Sequence, residues 1–369
     1  MRISRPILLL AAMAAQAVAE ERWQLQYFYD EDKSSLEIVD LKFPSAERGV
    51  AVGAVTEGSG SRPVALVTSD GGASWSIEKL KENPRSLFFL NENLGWMVTE
   101  KGIWQTREAG RSWRKLKSFS WALRVHFLDE RRGWAVGLRK SVFETNDGGA
   151  TWTAVSAAAE PKSNGEHTQY TWIDFADGQL GLITGFSRPP RRDAPRLPEW
   201  VDPENARKRR EWPSLTITLD TRDAGRTWKP ASASMFGEIT RVRFSPDGWG
   251  LGLIEFRGTF EWPCEVFRLD SRGGSRRVYR EKGRTINDLA VTKTGTAYLA
   301  GVETIGTLRG HPIPGRLAIL RSQDLESWIA MEIDYRANAR RVMLAKAPGE
   351  ALWVGTDTGM ILKLAVTAP

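Results

Sequence analysis

Short apolar and aromatic runs with period-two alternation recur along the whole chain, and each run is bounded by Gly, Asp or Asn. This pattern is typical of half-buried β-strands joined by tight turns, and no segment sustains the 3.6-residue period of an amphipathic helix. One phrase recurs seven times: an aromatic or aliphatic run, a turn, then Gly-Trp or Gly-aliphatic with further alternation. Its copies start at Phe43, Phe88, Phe127, Phe175, Phe244, Leu289 and Leu344. The pattern therefore predicts an all-β chain built from seven similar units.

An octapeptide that begins with Thr and ends with Ser/Thr-Trp lies between copies of this first phrase. Four complete copies occupy residues 68–75, 106–113, 145–152 and 221–228, and a shortened copy ends at Trp328. The octapeptide resembles the Asp-box, or bacterial neuraminidase repeat, which lies between the third and fourth strands of a propeller blade. We expect its acid to hold a turn, and neither to catalyse nor to bind metal. The acid and Trp positions are Asp70, Trp75, Glu108, Trp113, Asp147, Trp152, Asp223, Trp228, Asp324 and Trp328.

The spacing of the repeats, roughly 40 to 50 residues, is that of a four-stranded propeller blade. We therefore predict a seven-bladed β-propeller. The last unit has too few residues for its outer strand, whereas residues 23–28 precede the first unit and have no partner there. We predict that this N-terminal strand completes the last blade and closes the ring, which removes two exposed sheet edges.

The N-terminus has the features of a secretory signal peptide. Residues 1–19 contain two arginines, an apolar run and a small-residue site, so we expect cleavage after Ala19. The mature protein, residues 20–369, is expected to be a single, monomeric propeller domain in the periplasm or outside the cell. No later run approaches the roughly 18 apolar residues that span a bilayer. The single cysteine, Cys264, excludes an intramolecular disulfide.

The formal net charge of +7 is a mild basic bias, compatible with an acidic partner but too small to indicate nucleic acid binding. Part of it comes from a Pro- and Arg-rich insertion in blade four, residues 187–212. Such a long loop is either solvated and mobile or a docking segment for an acidic partner, and the sequence leaves both interpretations open. The arginines of this insertion that we assign to partner binding are Arg191, Arg192, Arg209 and Arg210.

A second basic group recurs at the start of the predicted innermost strand. An arginine stands three residues before the aromatic or aliphatic position in four blades, as Arg85, Arg124, Arg241 and Arg341. If this strand lines the channel, the four guanidiniums converge at its mouth, on the face that carries the long loops. Converging guanidiniums need carboxylates or an anionic ligand. Asp40, Asp174 and Asp288 lie near the same strand in other blades, so the group is either an anion or acidic-peptide site or an internal ion-pair network.

The chemical motifs of enzymes are missing from the sequence. Sialidases with Asp-boxes carry an arginine triad, an Arg-Ile-Pro phrase and a late Tyr/Glu pair, and this chain has no Arg-Ile-Pro and no such Tyr. Its three histidines and one cysteine lack metal-ligand spacing, and it has no phosphate-binding loop or nucleophile elbow. We expect no catalytic activity, cofactor or metal. The alternative is a carbohydrate-binding or sialidase-like glycosidase propeller, because paired carboxylates are invisible in sequence.

Taken together, the seven units, the Asp-boxes, the export signal and the basic channel resemble the photosystem II assembly and stability factor family of exported propellers. That family also occurs in non-photosynthetic bacteria. The resemblance implies a non-enzymatic scaffold that binds a protein partner, here an acidic segment of an envelope or membrane protein. It also implies an arginine patch, whose counterparts here are Arg85, Arg124, Arg241 and Arg341. The blade-four insertion departs from the compact family pattern.

Overall fold

The computed structural model describes residues 20–176, 178–189, 213–256, 262–303, 307–308, 311–333 and 337–367. The predicted signal peptide, residues 1–19, lies outside the described residues. So does most of the blade-four insertion, residues 190–212, together with the arginines assigned to it, which are Arg191, Arg192, Arg209 and Arg210.

Seven antiparallel sheets form the predicted seven-bladed propeller, with strands a to d running from the channel outward. Blade 1 contains Ser34–Lys42, Gly49–Glu57, Gly60–Thr68 and Ser76–Lys79; blade 2 contains Pro84–Phe89, Gly95–Thr99, Ile103–Thr106 and Arg114–Lys117; blade 3 contains Ala122–Phe127, Gly133–Gly137, Ser141–Thr145 and Thr153–Ala154. Blade 4 contains Thr168–Ala176, Leu180–Ser187, Ser214–Thr221 and Lys229–Met235; blade 5 contains Glu238–Phe244, Gly250–Glu255, Cys264–Leu269 and Ser275–Arg280. Blade 6 contains Arg284–Val291, Ala297–Glu303, Gly315–Ser322 and Ile329–Ala330; blade 7 contains Val342–Lys346, Leu352–Thr356, Met360–Thr367 and the N-terminal strand Glu20–Phe28.

Smaller elements decorate this frame. Asn338–Ala339 pairs with strand c of blade 6 beside its outer strand, and a short hairpin joins Thr307–Leu308 to His311–Pro312. Two short 3-10 helices, Ser156–Ala159 and Gly165–His167, connect blades 3 and 4. Within the described ranges, no helix has the length and apolar character needed to cross a bilayer.

The ring closes as the sequence predicts. The N-terminal strand pairs antiparallel with Met360–Thr367 from Glu20 opposite Thr367 to Phe28 opposite Met360. This strand is the outer strand of blade 7, so the last sheet contains chain from both ends of the protein. Trp23 on it is only 1% exposed and packs into the core that blades 6 and 7 share.

The hydrophobic core lies between adjacent blades, and stacked aromatic rings hold it together. The ring of Trp96 in blade 2 stacks on Phe127 in blade 3 at a centroid distance of 3.6 Å, and Trp353 in blade 7 stacks on Phe43 in blade 1 at 3.8 Å. Offset-stacked rings add about 0.5–1.5 kcal/mol per pair beyond the apolar area that they bury. The aromatic run and the Gly-Trp phrase of the sequence are therefore partners across these two blade boundaries.

The Asp-boxes form the turns between strands c and d. In blade 3, Asp147 accepts hydrogen bonds from the Thr145 hydroxyl at 2.8 Å and from the Thr151 backbone N–H at 2.9 Å. The Thr151 hydroxyl also donates to Asp147, and this bond, together with the other two, lowers the pKa of Asp147 to about 2. The backbone N–H of Gly148 in the same box donates to the Arg131 carbonyl in the turn between strands a and b at 2.8 Å. The a–b turns therefore lie on the same face of the ring as the Asp-boxes.

Candidate functional site

A cavity of about 480 Å³ lies in the central channel. Strand a contributes most of its wall, and the a–b turns form its rim, including Pro44, Leu90, Asn91 and Pro348. Because these turns share a face with the Asp-boxes, the cavity opens on that face. Its volume is in the range of roughly 300–1,000 Å³ that is common for ligand pockets.

The pairing of strands a and b defines two layers of side chains around the channel. The upper layer contains, in blade order, Asp40, Ser86, Arg124, Trp172, Arg241, Asp288 and Met343. The lower layer, two residues further along each strand, contains Lys42, Phe88, His126, Asp174, Arg243, Ala290 and Ala345. The lower layer is nearer to the a–b turns and therefore to the opening of the cavity, and the upper layer lies deeper in the channel. Arg124 and Trp172 are the members of the upper layer that line the cavity, so this layer forms the floor of the cavity.

Three guanidiniums surround one indole ring at this floor. The guanidinium carbons of Arg124, Arg241 and Arg243 lie 4.1, 4.6 and 4.6 Å from the centroid of the Trp172 ring. The Trp172 N–H donates to the Val242 carbonyl at 2.8 Å, which fixes the orientation of the ring. Cation–π attraction is worth about 2 kcal/mol where the cation is desolvated. The indole thus offsets part of the repulsion between the three cations.

Two carboxylates of the upper layer are held within the same cluster. Asp40 lies 2.6 Å from the Lys42 ammonium and 3.8 Å from Arg124, and it also accepts the Leu87 backbone N–H at 2.8 Å. Burial alone would raise the pKa of Asp40, but Lys42 and Arg124 lower it below its ordinary value. Asp40 is therefore ionised, and its charge is paired with cations of the cluster.

Asp288 plays the corresponding part on the other side of the channel. It lies 3.7 Å from Arg241 and 3.5 Å from Arg243, and it accepts the Leu344 backbone N–H from the next blade at 3.0 Å. Each of these two acids therefore links neighbouring blades and compensates two cations of the cluster.

The cluster keeps a positive surplus. Its cations and those at the cavity rim are Lys42, Arg124, Arg241, Arg243, Lys293 and Lys346, and its carboxylates are Asp40, Asp174, Asp288 and Glu350. Burial and the proximity of Arg241 lower the pKa of Arg124 to about 9, so this guanidinium is still charged at neutral pH. An anion that entered the cavity would therefore meet uncompensated positive charge.

The predicted channel arginines separate into different environments. Arg124 and Arg241 meet at Trp172, whereas Arg85 donates to the Ser120 and Ala122 carbonyls of the next blade at 2.9 and 2.8 Å. Arg341 is exposed and precedes the first paired residue of its strand. The expectation that all four converge at the mouth on the long-loop face therefore does not describe their positions.

The reason is a difference in register. In blade 2, Phe89 pairs with Gly95 as Phe127 pairs with Gly133 in blade 3, so Phe88 is not the equivalent aromatic position. The pairing also shifts at Arg85 itself, which places this residue in a bulge. A bulge turns the side chain away from the direction that strict alternation predicts.

Sequence reasoning missed Trp172, Arg243 and Lys42 as members of the site. A signal was available, because each lies two residues from a polar strand-a residue, and positions i and i+2 of a strand share a face. The Arg241-x-Arg243 pair shows this pattern most directly. Within the described chain, no cluster of three or more His, Cys, Asp or Glu is suited to a metal ion.

Comparison with known proteins agrees with this architecture. A family model described as photosynthesis system II assembly factor YCF48 matches residues 115–189, which run from the outer strand of blade 2 into blade 4. A solved structure described as YCF48 bound to D1 peptide is 17% identical, with a TM-score of 0.58 over 93% of this chain and 99% of that chain. The chain resembles the YCF48 family, as its repeats predict.

Other solved structures extend this likeness. YCF48 from Cyanidioschyzon merolae is 15% identical, with a TM-score of 0.57 over 93% of this chain and 98% of that chain. A streptogramin B lyase structure is 10% identical, with a TM-score of 0.60 over 94% and 98%. At these identities the likeness to YCF48 and to the lyase shows the fold alone. A comparison with curated protein sequences gives no match.

Proposed function

We propose that this chain is an exported, non-enzymatic scaffold of the photosystem II assembly factor-like type, and that its channel cavity binds an acidic segment of an envelope or membrane protein. The observation that carries the proposal is the arginine cluster on Trp172 at the floor of an open cavity. The match of the YCF48 family model supports it, and so does a structure of similar fold that is described as bound to a D1 peptide.

Binding by such a site needs little rearrangement. The cations project from inner strands that are hydrogen-bonded on one side to strand b, and Asp40 and Asp288 fix them further. A rigid receptor avoids the entropic cost of ordering its side chains when the ligand binds. Bidentate contacts between guanidinium and carboxylate would supply the orientation.

Hydrolysis is less well supported by the same residues. A glycosidase needs two carboxyl groups free to act as acid and base or nucleophile, roughly 5–10 Å apart. Asp40 and Asp288 instead accept backbone N–H groups and contact arginines. The faces of Trp172 are taken by guanidiniums, which also disfavours the stacking of a sugar on that ring.

The first experiment is affinity capture from an envelope extract on the mature protein. The test variant is Arg124→Ala/Arg243→Ala, and the matched control is Arg226→Ala/Arg272→Ala, which removes two exposed arginines outside the channel. We expect a protein that the wild type and the control retain and the test variant loses. Circular dichroism and thermal unfolding verify that all three are folded.

A charge-retaining variant and a synthetic segment sharpen the result. Arg124→Lys/Arg243→Lys should keep part of the binding if charge is what the partner recognises, although lysine lacks the bidentate geometry. A peptide copied from the captured protein should bind, and its Asp→Asn/Glu→Gln version should not. Equal capture by the wild type and the test variant would contradict the proposal. Export itself is tested by cell fractionation and by N-terminal sequencing, with Glu20 expected as the first residue.

A further inference from the structure

Asp174 differs from the other acids of the channel cluster. It lies in the lower layer of blade 4 and lines the cavity, and its carboxylate accepts the Phe244 backbone N–H at 3.0 Å. Among the described residues, no cationic nitrogen lies within 4 Å of its oxygens, whereas Asp40 and Asp288 each meet two cations within that distance. Asp174 is thus the carboxylate of the cluster that stands beside the cavity without an ion pair.

Charged and titratable groups of five other blades lie around the cavity that Asp174 lines. They are, by blade, Asp40 and Lys42 in blade 1, Arg124 and His126 in blade 3, Arg241 and Arg243 in blade 5, Asp288 and Lys293 in blade 6, and Lys346 and Glu350 in blade 7; of these, Arg243 and Lys346 act on the charge of Asp174. The paired strand b of blade 4, Leu180–Ser187, contains no titratable side chain.

The balance of these groups leaves Asp174 hard to ionise. Burial raises the pKa of Asp174 to about 6, because Arg243 and the backbone N–H groups of Phe244 and Phe175 offset the desolvation only in part. Burial and Arg243 lower the pKa of His126 to about 3, so the imidazole is neutral throughout the range in which Asp174 titrates. A pKa of about 6 places the change of charge of Asp174 between pH 5 and 7.

An anion seated on Arg124 and Arg243 would lie beside this carboxyl group, because all three line the same cavity. An ionised Asp174 would repel it, whereas a protonated Asp174 would donate a hydrogen bond to it. Two acids that share one site hold one proton between them, and the pKa of the retained proton is raised further. Ligand and proton should therefore bind together.

We propose that an anionic segment enters the channel cavity together with one proton, which is taken up by Asp174. The inference rests on the proposed function and adds its regulation. The site binds acidic ligands at mildly acidic pH, and its affinity for them falls as the pH rises. The proton comes from solvent and stays on an Asp174 oxygen, and the ligand remains an anion. No covalent bond is made or broken.

The test is isothermal titration calorimetry on the mature protein, with the peptide acetyl-(Glu)4-amide as the probe. A second probe with four cysteic acid residues does not titrate above pH 2, so any proton uptake with it belongs to the protein. We expect wild-type affinity to fall on the order of tenfold or more between pH 5.5 and 7.5. Two buffers of different ionisation enthalpy at pH 7.5 should report uptake of close to one proton.

Two variants identify the group. Asp174→Asn should bind equally at both pH values and take up no proton, and the matched control His126→Gln should keep the wild-type pH dependence. The buffer comparison on the wild type needs no variant, so a poorly folded Asp174→Asn protein does not spoil the test. Binding without proton uptake overturns this inference and leaves the proposed function standing. No binding of either probe at pH 5.5 overturns the acidic-segment proposal, and this inference with it.

Discussion

A Cβ atom on Gly225 would lie 2.3 Å from Cζ2 of Trp134, so the Asp-box of blade 4 fits against strand b of blade 3 only with glycine at this position. The same relationship joins Gly72 to Trp353 across the boundary between blades 1 and 7, at 2.5 Å from Cη2. The two phrases that repeat along the chain, the Gly-Trp strand and the Asp-box, are therefore two halves of one contact between adjacent blades.

This contact predicts that Gly225→Ala destabilises the ring by about 2–4 kcal/mol. The φ angle of Gly225 is +74°, which costs an L-residue roughly 1–2 kcal/mol, and the clash with Trp134 adds the cost of overpacking. The measurement is the free energy of unfolding from denaturant titration.

Gly178→Ala is the matched control for this substitution. Its φ angle is +75°, but nothing lies within 4 Å of an added Cβ atom, so only the backbone cost of roughly 1–2 kcal/mol should appear. The difference between the two variants isolates the contact with Trp134. Equal losses of stability in the two variants would show that the close approach of Gly225 to Trp134 does not contribute to the free energy of unfolding.

Blade 2 carries Glu108 where the other complete Asp-boxes carry Asp. Glu108 accepts the Ser112 hydroxyl at 2.6 Å, but in the described chain it accepts neither the Ser112 backbone N–H nor the Thr106 hydroxyl, whereas Asp147 accepts both equivalents. Glu108→Asp should restore the two bonds and raise the melting temperature by about 1–3 °C. The reciprocal change, Asp147→Glu, should lower it by a similar amount. A fall in both variants would refute the idea that side-chain length limits the blade-2 turn.

The fold was predictable because its determinants are local and repeated. A turn such as 145–152 carries its own hydrogen-bond partners within eight residues, and the period between turns sets the number of blades. The closing strand could be inferred because the last blade lacks an outer strand and residues 23–28 have no other partner.

The site was harder to predict because its contacts are not local. Arg124 meets Asp40 from two blades away, and Trp172 gathers arginines from blades 3 and 5. The count from the aromatic position is one residue off in blade 2, because Phe89 and not Phe88 is the counterpart of Phe127, so Arg85 falls in the bulge, where its guanidinium binds carbonyls. Alternation within strand a would have placed Arg243 beside Arg241, but no local pattern indicates Trp172 as their common neighbour.

Asp288 compensates Arg241 and Arg243, so Asp288→Asn should lower the free energy of unfolding by about 2–3 kcal/mol. Loss of one partner from a buried ion pair costs about 3–5 kcal/mol, and the partial exposure of the two arginines, 12% and 24%, reduces the loss. Asp220→Asn is the control, because its pair with Arg222 is exposed and 3.9 Å long and should be worth less than about 0.5 kcal/mol.

Anions give a second measurement on the same variant. Sulfate should stabilise the Asp288→Asn protein more than the wild type at equal ionic strength, because it can bind to the uncompensated guanidiniums. An unfolding free energy unchanged by Asp288→Asn would mean that solvent alone compensates the arginines.

Asp174 makes a prediction about stability that needs no ligand. A carboxyl group whose pKa is higher in the folded than in the unfolded state binds its proton more tightly when folded, so its contribution is favourable at low pH and is lost as the pH rises through the folded value. With a pKa of about 6 against an ordinary value of 3.8, ionised Asp174 should destabilise the native state above pH 6 by up to about 3 kcal/mol. Asp174→Asn should therefore be more stable than the wild type at pH 7.5, with a difference that shrinks below pH 6 and is gone near pH 4.

Asp40→Asn should behave in the opposite way, because the pKa of Asp40 is lowered. The variant should be less stable than the wild type at pH 7.5, and this deficit should shrink as the pH falls below about 4. The two differences, measured as free energies of unfolding against pH, should have opposite signs at neutral pH; a pH-independent effect of Asp174→Asn would mean that Asp174 ionises in the folded ring as readily as in the unfolded chain.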